Sequence, residues 1–236
     1  MNFDLINCEQ GSEQWDALRA TKPTASEFAK ILTGGGKVSE QREMYMRRLS
    51  IATKYKVPKF TGNEWTERGH ALEPEARERL MKETGFDVRP AGFAIRNNSI
   101  RGASPDALIW HNGQIVGGAE IKCYNMDKHL GIVNKGVLPT TNKPQVHGSL
   151  DVTGLPFWIF FVYCPEAFPL DWLIIEVTPD SYTRQLTQAL DEFEADYRKN
   201  WVQYLAEYEV DMLNKTVREM APVAHSIINP EEESIL

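Results

Sequence analysis

The sequence predicts a single α/β domain, with a central mixed β-sheet flanked by α-helices. Helical apolar patterns fill the N-terminal third, five strand-like runs follow, and one long amphipathic helical pattern comes last. No repeat, low-complexity segment or linker divides residues 1–236. Helices packed on a sheet are the simplest architecture for this order of elements.

The N-terminal region, about residues 12–85, is predicted to be helical. Ser12 is a candidate N-cap of a short helix. In KPTASEFAKILTGGG, Thr24 and Glu27 match a capping box, which binds the free N–H groups of a helix start. Two more helices are predicted in SEQREMYMRRLSIATKY and NEWTERGHALEPEARERLMKETG. Gly85 is the predicted stop of the second helix, and Pro74 inside it could mark a kink or a new start.

The sheet region, about residues 86–178, contains the runs FDVRPAGFAIRN, ALIW, QIVGGAEIKC, FWIFFVYC and DWLIIEV. The fourth run is typical of a fully buried strand. A helix is predicted before it, from about Pro144 to about Gly154. The last helix is predicted over about residues 180–213, because apolar residues recur there at helical spacing. A weakly ordered acidic tail is expected to follow.

Composition and charge argue against several classes of protein. No apolar run reaches the roughly 20 residues of a membrane-spanning helix, and the N-terminus lacks a signal-peptide pattern. Three cysteines at no metal-type spacing argue against a disulfide framework or zinc site. We therefore expect a soluble cytoplasmic protein with no membrane partner.

The net charge of −7 is unevenly distributed along the chain. Residues 1–60 carry a net +3, residues 61–160 are balanced, and residues 161–236 carry −10. The basic stretch from Lys37 to Lys59 is either a surface for a phosphate backbone, clear of the acidic end, or a solvated helix face.

Three charged residues, Asp106, Glu120 and Lys122, occur in strand-like runs where apolar residues are expected. Glu120 and Lys122 share one face of a strand because strand side chains alternate. A two-residue Asn-Gly turn would set Asp106 opposite Ala119, whereas one extra residue in the second strand sets it opposite Glu120. We therefore predict a bulge at Gly117-Gly118, or a longer turn.

Two converging carboxylates repel each other unless a cation lies between them, and oxygen ligands suit Mg²⁺ or Mn²⁺. A nearby lysine can hold a water or a phosphate oxygen, and metal-activated water with lysine can hydrolyse a phosphodiester. The alternative is a structural ion pair between Lys122 and Asp106 or Glu120.

Five segments occur in the order seen in the YqaJ-like viral recombinase family, of the lambda-exonuclease type: WDALRATKPTASEFAKIL, ERGHALEPEARERL, RGASPDALI, GGAEIKC and KPQVHGSLDVTG. SPDALI with AEIKC also resembles the PD-(D/E)XK nuclease signature. The resemblance covers roughly Trp15 to Val177. It implies a restriction-endonuclease-like core and a Mg²⁺-dependent 5′→3′ exonuclease that degrades one strand of linear double-stranded DNA, leaving a 3′ single-stranded tail for recombination. A ring-shaped homotrimer and a single-strand annealing partner are implied as well.

The resemblance also implies roles for single residues. Asp106, Glu120 and the backbone carbonyl of Ile121 are implied as metal ligands. Two Mg²⁺ ions per site are implied, and Mn²⁺ is expected to be accepted in their place. Lys122 is implied as the lysine that orients and activates the attacking water. Glu73 falls where the family has a helical glutamate near the second ion.

Three further positions match the family. Gln145 falls in a helical glutamine motif at the edge of the site, and Arg19 and Ser26 fall where the lambda-type members contact a terminal 5′ phosphate. The sequence departs from that type at His147, in place of a second glutamine, and at His70, in place of a lysine.

Each of these roles has an alternative in the residues alone. Glu73 could be an exposed helix carboxylate, Ser26 could serve the helix start, and Arg19 could pair with Asp16. For the whole chain, a structure-specific or site-specific endonuclease and a non-catalytic DNA-binding protein remain alternatives, since a fold does not fix its substrate.

Overall fold

The computed structural model of the chain describes residues 1–55 and 64–227, with side chains described except at 64–67, 70 and 217–227. The α-helices of this part are α1 (Glu13–Ala20), α2 (Arg42–Tyr55), α3 (Glu64–Thr84), α4 (Met126–Lys135), α5 (Lys143–Thr153) and α6 (Ser181–Ile227). The same part contains the 3-10 helices Ala25–Lys30 and Pro165–Ala167. α3 is one helix that continues through Pro74, and as predicted it ends before Gly85, which has a φ of +70°.

Two β-sheets are built from the strands β1 (Phe3–Ile6), β2 (Asp87–Arg89), β3 (Phe93–Arg96), β4 (Gly102–Ala103), β5 (Ala107–His111), β6 (Gln114–Lys122), β7 (Trp158–Tyr163) and β8 (Trp172–Val177). A small antiparallel sheet has the order β1-β3-β4. The central sheet has the order β2-β5-β6-β7-β8 and is mixed, since β6 and β7 are parallel while its other pairs are antiparallel. α4 and α5 lie in the connection between the two parallel strands.

Helices cover both faces of the central sheet, which confirms the predicted α/β fold. One apolar cluster joins the sheet to α5 and α6 through Phe160, Leu150 and Phe193. The other cluster joins the opposite face to α3 through Phe161 and Leu80. β7 is buried along its whole length, as predicted, because a strand covered on both faces has no solvent-facing position.

The β5–β6 hairpin has the predicted turn and the predicted bulge. φ is positive at both residues of the Asn-Gly turn, 50° and 76°, as a two-residue hairpin requires. The register shifts by one residue, which leaves Val116 unpaired just before the glycine pair where the bulge was expected. Ala107 then pairs with Ala119, so the adjoining position brings Asp106 beside Glu120.

A phosphate surface clear of the acidic end does not hold for two arginines of the basic stretch, because α2 packs along α6. Arg42 Nη2 lies 2.8 Å from Asp196 Oδ2, and Arg47 Nη2 lies 3.1 Å from Glu207 Oε2. The lysines of this stretch beyond residue 55 lie outside the described residues.

Four elements of the described part are additions to the sequence prediction: β1, β4, α4 and the 3-10 helix Pro165–Ala167. The last helix also extends past residue 213 to Ile227, and residues 228–236 of the expected tail lie outside the described part. Within the described residues, no helix combines the length and apolar character needed to span a lipid bilayer.

Candidate active site

Asp106 lies directly before β5, and its carboxylate is anchored across the hairpin. Its Oδ2 accepts a 2.7 Å hydrogen bond from the backbone N–H of Ile121. This bond fixes the direction of the side chain relative to β6. Oδ1 takes no part in it, so within the described part of the chain one carboxylate oxygen remains for another ligand.

Glu120 projects from β6 and is only 1% exposed. Its Oε1 accepts a 2.5 Å hydrogen bond from Gln145 Nε2 and forms an ion pair with Lys122 Nζ. Its Oε2 is buried and has no hydrogen-bond partner in the described part of the chain. Burial, and then the charge of Asp106, raise the pKa of Glu120 to about 7, although Lys122 and Arg19 oppose that shift.

Lys122 follows Glu120 by two residues on the same face of β6. Burial by itself lowers the pKa of this lysine, but the carboxylates of Glu120 and Asp106 outweigh burial and hold its pKa above the usual value. The lysine therefore stays charged at neutral pH. Its side chain is 27% exposed, so part of the lysine lies at the surface of the site.

Glu73 borders the same space from α3. Its Oε1 accepts a 2.6 Å hydrogen bond from Arg77. Burial, and then the charges of Glu73 and Asp106, raise the pKa of the Cys123 thiol to about 12, so both carboxylates act on one neighbouring group. Among the described residues, however, no three His, Cys, Asp or Glu side chains converge closely enough to hold a metal ion. The structure thus does not bring Glu73 together with Asp106 and Glu120 as a ready set of ligands.

The atoms around Glu120 fit a hard divalent cation. A buried carboxylate oxygen without a partner, Glu120 Oε2, is costly unless positive charge compensates it. Asp106 and the carbonyl of Ile121 offer further oxygen donors, the type that Mg²⁺ and Mn²⁺ prefer. The donor set therefore suits Mg²⁺ better than a metal that prefers sulfur or nitrogen.

Arg19 and Ser26 are in contact, as their predicted shared role requires. Arg19 Nη2 donates a 3.0 Å hydrogen bond to Ser26 Oγ, and the guanidinium lies 4.3 Å from the centre of the Trp15 ring. Arg19 Nε is buried without a partner among the described residues. Burial lowers the pKa of Arg19, while nearby carboxylates, Glu120 among them, oppose the shift. The pair therefore lies within electrostatic reach of Glu120.

The capping box predicted at Thr24 is wrong. The segment that follows is the 3-10 helix Ala25–Lys30, and the Thr24 side chain makes no capping hydrogen bond. Glu27 instead forms ion pairs with Lys30 and, at 2.7 Å, with Arg48, since α2 brings an opposite charge close to it. The Glu27 N–H is bonded to the Thr24 carbonyl at 2.8 Å. An anion pocket here would therefore depend on side chains and not on a helix start.

His147 belongs to the contact between α5 and α6. It is buried, its Nδ1 lies 2.8 Å from Thr183 Oγ1, and its ring packs edge-on against Tyr182. Burial lowers the pKa of His147, against the attraction of Asp180. Gln145, two residues earlier, contacts Glu120 instead. His147 therefore joins two helices, while the side chain of the residue at 70 lies outside the described part.

Two contacts to the segment before Asp106 have no signal in the sequence. Gln10 Nε2 donates to the Pro105 carbonyl at 2.8 Å, and Trp15 Nε1 donates to Ser104 Oγ at 2.7 Å. The partners are 95 and 89 residues apart in the chain. Such contacts depend on how the N-terminal segment docks, and no local pattern of residue types reports that docking.

One protein family and several solved structures resemble this chain. Residues 14–156 match the YqaJ-like viral recombinase domain. The crystal structure of an alkaline exonuclease (LHK-Exo) from Laribacter hongkongensis matches with a TM-score of 0.71 and 26% identity, covering 85% of this chain and 100% of that one. LHK-Exo in complex with dAMP gives a TM-score of 0.66 with the same identity and coverage.

A phage related exonuclease from Haemophilus somnus 129PT shares the fold, with a TM-score of 0.59 and 15% identity over 82% of this chain and 99% of that one. No curated protein matches the chain significantly. The structural neighbours confirm the fold of the PD-(D/E)XK-type exonucleases, and with the family match they support a nuclease of phage-type recombination. Since the matched region covers more than half of the sequence, the chain belongs to the YqaJ-like viral recombinase family.

Proposed function

We propose that this chain is a Mg²⁺-dependent 5′→3′ exonuclease, which degrades one strand of linear double-stranded DNA and leaves a 3′ single-stranded tail. The observation that carries the proposal is Glu120, buried with one oxygen held by Gln145 and Lys122 and the other without a partner in the described chain. The similar LHK-Exo has been solved with dAMP. A deoxynucleoside monophosphate is the class of product that stepwise hydrolysis of DNA releases.

In this proposal Asp106, Glu120 and the Ile121 carbonyl hold Mg²⁺, and Mn²⁺ can replace it. When bound, the ion would lower the pKa of a water molecule and polarise the scissile phosphate. Gln145 fixes the direction of the Glu120 carboxylate through its 2.5 Å hydrogen bond. Lys122, charged and partly exposed, orients the attacking water and stabilises negative charge that develops on the phosphate.

A second ion near Glu73 is part of the proposal. Glu73 borders the site from α3, and its carboxylate accepts a hydrogen bond from Arg77. A metal ion bound there would replace the Arg77 guanidinium as the positive partner of this oxygen. Titration with Mn²⁺ should give two ions per chain, and Glu73→Gln should remove one of them. A stoichiometry of one in the unaltered protein would contradict this part alone.

The 5′ polarity is assigned to Arg19 and Ser26. A guanidinium group can bind two oxygens of one phosphate, and Arg19 has a buried Nε without a partner among the described residues. Ser26 Oγ adds a hydroxyl 3.0 Å from Arg19 Nη2. Arg19 already interacts electrostatically with Glu120, so a terminal 5′ phosphate held by this pair would lie near the proposed metal site.

The proposal is tested with linear duplex labelled at the 5′ or 3′ end of each strand, beside closed circular DNA, in Mg²⁺ and in EDTA. We expect loss of nucleotides from the 5′ ends of linear DNA in Mg²⁺ alone. Glu120→Gln should abolish it, while Glu176→Gln, a change at an exposed carboxylate of β8, should not. Nicking of circles would identify an endonuclease, and binding without cleavage would identify a non-catalytic DNA-binding protein.

A closed homotrimer and a single-strand annealing partner complete the proposal. The net charge is −7, and Arg42 and Arg47 are paired with α6, so an open monomer would hold DNA weakly at physiological salt. A closed ring can retain a duplex by enclosing it. Light scattering should give three chains per particle under active conditions, and an active monomer would contradict the ring.

A further inference from the structure

Gln10 links the N-terminal segment to the residues that lead into Asp106. It lies between β1 and α1 and is half-buried. Its Nε2 donates a 2.8 Å hydrogen bond to the Pro105 carbonyl and a longer one, 3.4 Å, to the Ala91 carbonyl. One amide group therefore ties the segment before β5 to the segment before β3, and these strands belong to different sheets.

The orientation of the Pro105 carbonyl affects the orientation of Asp106. Proline has no N–H, so this carbonyl is the one polar backbone group that Pro105 contributes. It also belongs to the peptide plane that leads directly into Asp106. On the other side of Asp106, the carboxylate Oδ2 is held by the Ile121 N–H at 2.7 Å. Asp106 is thus fixed at its incoming peptide by Gln10 and at its carboxylate by β6.

The N-terminal segment packs closely against the residue before β3, so the backbone that carries Gln10 is itself held in place. A Cβ added at Gly92 would lie 2.1 Å from the Ile6 carbonyl oxygen and 2.8 Å from the Cys8 nitrogen. A glycine is therefore required where the chain after β1 passes residue 92. Trp15 adds a second contact from the same region, with the 2.7 Å hydrogen bond from its Nε1 to Ser104 Oγ.

We propose that Gln10 is a positioning residue for divalent cation binding: by holding the Pro105 carbonyl, it sets the Asp106 carboxylate in the direction that a cation beside Glu120 requires. The inference rests on the proposed function, since it takes Asp106 as a metal ligand. Gln10 itself touches neither cation nor DNA. Residues that orient metal ligands commonly change metal affinity by about tenfold or more when they are replaced.

The test compares Gln10→Glu and Gln10→Ala with the unaltered protein and with Gln14→Ala, a control at an exposed position of α1. Gln10→Glu keeps the size of the side chain but replaces the amide donor with an acceptor that faces the Pro105 carbonyl. Mn²⁺ binding is measured without DNA by the paramagnetic resonance signal of free Mn²⁺, and the Mg²⁺ concentration for half-maximal DNA degradation is measured separately. Thermal unfolding in EDTA reports the stability of each variant.

We expect Mn²⁺ affinity to fall about tenfold in Gln10→Glu, with a matching rise in the Mg²⁺ requirement and a maximal rate that recovers at high Mg²⁺. Gln10→Ala should show the same direction, and Gln14→Ala no change. If either folded Gln10 variant binds Mn²⁺ as tightly as the unaltered protein, the inference is overturned. If Gln10→Ala unfolds, Gln10→Glu decides. Unaltered protein that binds Mn²⁺ but does not degrade DNA would refute the proposed function, while the affinities would still decide the role of Gln10.

Discussion

Replacing Lys122 with alanine should reduce both cleavage and stability, and the loss of stability should depend on pH. Lys122 Nζ is ion-paired with Glu120 Oε1, and Gln145 donates a hydrogen bond to the same oxygen. In the alanine variant only the bond from Gln145 would remain. Without the lysine, burial and Asp106 disfavour the charge on Glu120 with less opposition. The pKa of Glu120 should therefore rise further above about 7.

The size of the loss depends on how far Glu120 can avoid a buried charge by binding a proton. Removing one partner of a buried ion pair costs about 3–5 kcal/mol when the other charge stays buried. Lys122 is 27% exposed, and Glu120 can protonate, so we expect about 1–3 kcal/mol near pH 8.5. A carboxyl with a pKa raised from 4.5 to about 7 on folding destabilises the fold as pH rises through that window. Near pH 6 the folded form keeps this proton with or without Lys122, so the loss should shrink below about 1 kcal/mol.

Urea unfolding in EDTA at about pH 6 and about pH 8.5 measures this difference. The control is Lys135→Ala, a change at an exposed position of α4, which should change stability equally at both pH values. Cleavage in Mg²⁺ should fall by about 100-fold or more in Lys122→Ala, with DNA binding retained. A loss of stability that is equal at the two pH values would refute the coupling of Lys122 to Glu120, and near-normal cleavage would refute the assigned site.

Three other outcomes are expected. Arg19→Ala should slow digestion of 5′-phosphorylated duplex by about tenfold to a hundredfold more than that of 5′-hydroxyl duplex, and an unchanged ratio of the two rates would place the phosphate pocket elsewhere. Burial lowers the pKa of His147 from 6.5, so the stability that its neutral form supports is complete above 6.5 and is lost as pH falls; His147→Gln should flatten this loss in urea titrations, and an unaltered pH slope would argue against it. Ca²⁺ should support DNA binding without efficient cleavage, because its coordination is less strictly ordered than that of Mg²⁺; rapid digestion in Ca²⁺ alone would contradict the assigned metal chemistry.

The hairpin that carries Asp106 and Glu120 could be predicted because its register depends on residues close together in the chain. The Asn-Gly turn and strand alternation determine which side chains share a face. The bulge lies at Val116, one residue before the expected glycine pair. α5 is similarly local, with proline in its first turn and Gly154, at a φ of 66°, as its C-cap.

Contacts between distant segments could not be predicted in this way. Thr24 and Glu27 have the spacing of a capping box, but Arg48 on a later helix attracts the Glu27 carboxylate. The contact of Gln145 with Glu120 requires α5 to dock beside β6, and its position was implied by family resemblance and not by spacing. In each case the competing partner is chosen by tertiary packing, which local residue patterns do not contain.

The pairing of α2 with α6 has a thermodynamic consequence for nucleic acids. A phosphate that binds Arg42 or Arg47 must first displace the carboxylate of Asp196 or Glu207. The released carboxylate then attracts a cation from solution, which offsets part of the counterion release that drives DNA association. The dependence of DNA affinity on salt concentration would therefore report fewer ions than the number of arginine–phosphate contacts, because α6 competes with nucleic acid for the same guanidinium groups.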